Sequence, residues 1–182
     1  MTTMRTSLGP LKFTDGRWAL GDPERRGGGA WVEFRPEGML AHARDGGEEL
    51  LPWTRIMNGM GVRIGARYTQ HGATVSPLGL VAAMPGPFRG RGGGYLHMTV
   101  RHPYDDHTVF FDRHPHWYAL MEVSILEALL GHLTEAQELH RLADEAWLSR
   151  VVERVSRRRW QTRWQMHRAI AEALAAGGVA AP

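Results

Sequence analysis

The spacing of hydrophobic and polar positions changes partway along the chain. Up to about residue 113 the apolar residues come in short runs of strand length, divided by Gly, Pro and Asp, which is the texture of an all-β unit. Segment 30–35, with Trp31, Val32, Phe34 and Arg35, reads as a strand. Pro36, Glu37 and Gly38 make a turn in which Gly supplies a positive φ, and 39–43 reads as the return strand. Asp45, Gly46 and Gly47 mark the next turn, followed by strand-like stretches at 48–57 and 61–68. Segments 27–29 and 85–94 are rich in Gly and Pro and read as mobile loops. A second hairpin is expected from 95–102 and 107–112 across the turn 103–106.

Beyond Pro115 the interval becomes three and four. Tyr118, Met121, Ile125, Leu126, Leu129 and Leu130 fall on one helical face, with Pro115 suited to the first turn and Gly131 to the end. Thr134 followed by Gln137 has the spacing of a capping box and predicts a second helical segment carrying Leu139, Leu142, Ala146, Leu148, Val152 and Val155. A further stretch, 160–176, carries Trp164, Met166, Ile170 and Leu174; whether it continues the preceding helix or breaks from it near Ser156 stays open. Strands first and helices second predict an α+β fold, not an alternating parallel one. The expected organisation is a flexible N-terminus at 1–10, a small antiparallel barrel or sheet with a closing helix at 11–133, and a helical extension with a basic face at 134–182.

Composition narrows the classes. With 43% hydrophobic residues and seven Trp in 182 residues, the chain has enough apolar content for a proper core. No window approaches the roughly 18 consecutive apolar residues of a spanning helix. Residues 1–13 lack the apolar core of an export signal, so a cytoplasmic location is the default expectation. The absence of Cys removes disulfides, thiolate metal sites and thiol nucleophiles, and no cofactor is implied. The formal charge of +3 conceals an imbalance: from Ser149 onward seven arginines face two glutamates, a balance of +5 that leaves −2 for the rest. Lys12 is the only lysine, which fits a GC-rich coding sequence; the clustering of arginine in the tail is not explained that way.

The stretch Val32, Glu33, Phe34, Arg35, Pro36, Glu37, Gly38, Met39 and Leu40, followed by Pro52, Trp53 and Ile56, resembles the bacterial pleckstrin-homology-like domains. The resemblance covers about 11–133 and implies a bent antiparallel barrel of about seven strands closed by a C-terminal helix, here 115–130. Trp53 and Ile56 are three apart and share a face only if a bend intervenes, as at a barrel corner.

Three groups of residues could carry chemistry. His97, His102, Asp105, Asp106, His107, Asp112, His114 and His116 are imidazoles and carboxylates of the kind that bind zinc, manganese or iron, with His102, His107, Asp112 and His114 the candidate ligands. Polar turn residues and surface histidines account for the same pattern. Arg89 and Arg91 lie in the Gly-rich loop, which lacks the Lys-Ser/Thr of a phosphate loop but would bind an anion or an acidic partner. The tail carries Arg154, Arg157, Arg158, Arg159, Trp160, Arg163 and Trp164; a helix would align Trp160 with Trp164, and Arg159 with Arg163. Such a face would hold nucleic-acid phosphates with steep salt dependence, sit on an anionic membrane surface, or pack on the barrel or a second subunit.

The leading expectation is a non-enzymatic protein-interaction or scaffold module whose Arg/Trp-rich extension docks a protein partner or a second copy. The alternatives are nucleic-acid binding through Arg150 to Arg168 and a metal-dependent enzyme using the cluster from His97 to His116.

Overall fold

A computed structural model describes residues 7–64, 93–101, 103–116, 118–156 and 162–178. The first sheet is a meander of six antiparallel strands in sequence order: β1 (Ser7–Leu8), β2 (Leu11–Thr14), β3 (Arg17–Gly21), β4 (Trp31–Arg35), β5 (Gly38–His42) and β6 (Glu48–Pro52). The second has β7 (Ile56–Ile64), β8 (Gly94–Val100) and β9 (Asp105–Phe111), also antiparallel. Helices α1 (Leu120–Glu135), α2 (Glu145–Ser156) and α3 (Arg163–Ala176) follow, with a short 3-10 turn, Leu139–Ala143, between the first two. The fold is α+β, as the change of period predicts. The described strands form two sheets and do not close into a barrel.

Local chemistry accounts for the hairpins. Thr14 pairs with Arg17 across Asp15 and Gly16, whose φ angles of 49° and 77° make a two-residue turn of the type that matches strand twist. Arg35 pairs with Gly38 across Pro36 and Glu37 as expected, but Gly38 is needed for a different reason. A Cβ there would lie 2.4 Å from the Leu51 carbonyl oxygen, so it is the close approach of β6, not a positive φ, that requires glycine. Trp53–Arg55 forms a 3-10 turn between β6 and β7, the bend that lets Trp53 pack on Phe34 while Ile56 is buried. Pro52 has no N–H to extend the ladder, and the turn carries the chain into the second sheet. The ordered sheet begins at Ser7, inside the stretch read as a flexible lead-in, because Ser7 and Leu8 pair with Lys12 and Leu11.

β8 alternates cleanly, with Leu96, Met98 and Val100 inward and Tyr95, His97 and Thr99 outward. Helix α1 packs against β7 and β1 and buries Val123, Ile125, Leu126, Leu129, Leu130 and Leu133. Its ends differ from expectation. It starts at Leu120, not in the first turn after Pro115, because the Tyr118 hydroxyl accepts the His114 backbone N–H at 2.9 Å and holds that segment out of the helix. It runs through Gly131 to Glu135, since Thr134 donates its hydroxyl back to the Leu130 carbonyl at 2.7 Å and caps nothing. The chain turns out of the helix at Gln137, with φ 57°, where Glu138 N–H reaches the Leu133 carbonyl and Gln137 N–H the Thr134 carbonyl.

The extension is continuous with the body. Apolar residues of both sheets, α1, α2 and α3 belong to one core, and Trp18 of β3 donates its indole N–H to Ser149 of α2 at 3.1 Å. Among the described residues no helix is long and apolar enough to cross a membrane.

Candidate functional site

Helix α2 starts at Asp144, whose carboxylate accepts the Trp147 N–H at 2.9 Å. Trp147, Leu148, Val151, Val152 and Val155 form its buried stripe, leaving Arg150 and Arg154 exposed. Helix α3 has its own cap, Thr162, whose hydroxyl accepts the Gln165 N–H at 3.2 Å. Thr162 is extended, so α2 and α3 are separate helices. The buried face of α3 is Met166, Ile170, Ala173 and Leu174. Trp164 points away from it and is 68% exposed. The Arg168 guanidinium lies 5.5 Å from the Trp164 ring centre and donates through Nε to Glu172 at 2.9 Å. Between α2 and α3 a groove of about 300 Å³ is bounded by Trp147, Arg150, Arg154, Ala173 and Gly177. Arg163 opens α3; Arg157, Arg158, Arg159 and Trp160 lie outside the described residues, as do Arg89, Arg91 and His102. The structure thus brings Arg150 and Arg154 together along one groove wall and sets Trp164 beside Arg168, a pairing absent from the expected set.

The candidate metal ligands point to different partners. Asp112 is 1% exposed and lies where the sheets meet: its N–H donates to the Ala30 carbonyl at 2.6 Å and its carbonyl accepts the Asp22 N–H at 3.0 Å. Its carboxylate accepts Arg44 Nε at 2.8 Å, a second Arg44 nitrogen and the Ala30 N–H at 2.9 Å, and pairs with Arg25 at 3.1 Å. Burial opposes its ionisation, but Arg44, the Ala30 N–H and Arg25 outweigh that and hold its pKa below the usual aspartate value. His107 lies 3.8 Å from Glu49. His114 is buried, 2.7 Å from the Tyr118 hydroxyl; burial above all pushes its pKa down to about 4, and Tyr118 is pushed up to about 12 by its own burial. His116 stacks on His114. His97 faces outward on β8 and packs over Gly61, and Asp106 accepts the Thr99 hydroxyl on the exposed hairpin. Among the described residues no three metal-ligating side chains converge.

Two features escape a reading by spacing. A cleft of about 820 Å³ opens between the β5–β6 hairpin and the β8–β9 pair, walled by His42, Arg44, Glu48, Glu49, Phe110 and Asp112. The other is a contact between α1 and α3, where His167 Nδ1 lies 3.3 Å from His132 Nε2. The partners are 35 residues apart in the second case and 68 in the Arg44–Asp112 pair, and no local pattern links them.

No family model, curated protein or solved structure matches this chain.

Proposed function

We propose that this chain is a non-enzymatic interaction or scaffold module, a pleckstrin-homology-like body whose helical extension docks a protein partner or a second copy. The observation that carries the reading is Trp164, a large aromatic left 68% exposed on a helix whose opposite face is fully packed. Covering the rest of such a ring yields about 3 kcal/mol of transfer free energy, the scale of an interface hot spot. The cation beside the ring is Arg168, 5.5 Å from its centre, and Arg150 and Arg154 are exposed on the neighbouring helix; aromatic residues and arginine are enriched at protein interfaces.

Sedimentation velocity of the wild type and Trp164→Ala across a micromolar concentration series, with co-sedimentation from native lysate, tests this. A species heavier than the monomer that the substitution weakens by about tenfold or more supports docking through this face. A strict monomer that retains nothing overturns it, as does salt-sensitive retention of DNA or RNA unaffected by Trp164→Ala, which would point instead to the arginines as a nucleic-acid surface.

A further inference from the structure

The contact between α1 and α3 carries a second, independent inference. Both histidines sit within helices whose neighbouring residues are core: Leu129 and Leu133 beside His132, and Met166 and Ile170 beside His167. Their backbones are therefore fixed by packing on both sides of the contact. His132 Nδ1 is sealed from solvent without a hydrogen-bond partner, so Nε2 is the nitrogen through which that ring meets a ligand, and Nε2 is the atom aimed at His167. The Nε2 to Nδ1 separation is 3.3 Å, and the rings are tilted by 58°. Two imidazole nitrogens bound at about 2.0–2.1 Å to one tetrahedral zinc ion stand about 3.3 Å apart. The separation also exceeds the usual 2.9–3.0 Å of a hydrogen bond donated by N–H.

We propose that His132 and His167 form a two-histidine site for a late first-row divalent metal ion of the zinc, nickel and copper class, clasping α3 onto α1. Charge fits as well as distance. Burial, and then the neighbouring His167, hold the His132 pKa below its usual value, which favours the neutral ring that a metal ion needs. Glu135, one turn along α1 from His132, offsets the ion's charge, and His167 is exposed, which leaves a path for the metal and for the waters that complete its shell. Imidazole pairs select late transition metals over magnesium and calcium, which take oxygen ligands. Binding would link two helices and stabilise the folded chain by mass action.

The test uses the full, untagged chain at pH 7.5, melted in EDTA, in zinc chloride and in magnesium chloride, with calorimetric titration of zinc. Zinc at about ten times its dissociation constant is expected to raise Tm by roughly 3–5 °C, with one ion per chain, while magnesium does nothing. The rise should vanish in His167→Ala, an exposed position whose melt in EDTA stays near wild type, and in His132→Gln. An unchanged zinc shift in His167→Ala would assign the ion to other histidines and overturn the site. Absence of any zinc shift in the wild type would leave the pair a plain hydrogen bond and overturn it equally.

Discussion

In the sheets, Glu33 pairs with Arg17, Arg35 and His42, and Asp112 with Arg25 and Arg44. In the helices, Arg150 and Arg154 are exposed and Trp164 keeps two thirds of its surface in water. Both regions share one core, so the difference is not one of packing. The body consumes its polar groups internally to fix strand register and sheet-to-sheet placement, whereas the extension buries an apolar stripe and leaves Arg150, Arg154 and Trp164 outward. Substitutions in the first region should be read out as stability, and in the second as association.

The largest test of that contrast removes both cations from Asp112. In Arg25→Ala/Arg44→Ala the buried carboxylate keeps only the Ala30 N–H, and urea unfolding at pH 7 should show a loss of about 3–4 kcal/mol, moderated because both guanidiniums are half in water. The wild-type pKa is lowered, so the stability Asp112 contributes is present above its unfolded pKa and lost as pH falls through the folded one. The gap between wild type and variant should therefore narrow in acid. A loss below 0.5 kcal/mol at pH 7 would break the comparison.

Next comes the pH dependence at His114, which faces Asp22, Glu24, His116 and Lys12. Its folded pKa of about 4 lies below the unfolded value near 6.5, so the unfolded chain binds the extra proton between them. Stability is complete above about pH 6.5 and falls toward pH 4, by about 2–3 kcal/mol, and His114→Gln should flatten that slope in denaturant titrations at several pH values. Gly38→Ala, which drives a methyl group into β6, should cost about 1–2 kcal/mol at the urea midpoint. The smallest effect belongs to Trp164→Ala, within about 0.5 kcal/mol of wild type in the same measurement. A large destabilisation there would mean that Trp164 is architectural and would erase the contrast.

The hairpins and the order of strands and helices were legible because they rest on neighbours in sequence, as Arg35 with Gly38 and the face of α2 carrying Leu148, Val152 and Val155. The second hairpin turns two residues earlier than expected, pairing Val100 with Asp105, and Trp147 and Val151 complete the buried stripe in place of Ala146, which is exposed. Local pattern misled where a residue found a different local use. Thr134 has the spacing of a cap but bonds backward inside α1, and Gly131 has the composition of a stop but sits in mid-helix. At the candidate sites the limit was distance along the chain. Asp112 and His114 are close in sequence and look like fellow ligands, yet Asp112 belongs to Arg25 and Arg44, and His114 to Tyr118. The exposure of Trp164 depends on which face of α3 meets the core, and periodicity had already placed Met166, Ile170 and Leu174 there without excluding the tryptophan.

The bond from Trp18 to Ser149 spans 131 residues, and it sets a schedule for the chain as it leaves the ribosome. At synthesis rates of about 5–20 residues per second, β3 waits roughly 7–26 seconds for the helix that receives its indole. During that interval the six-stranded meander can pair, but Trp18 has no Ser149 to bond and its ring lacks the cover of α2. A ribosome stalled before α2 should therefore display a protease-sensitive body, and release of α2 should protect it.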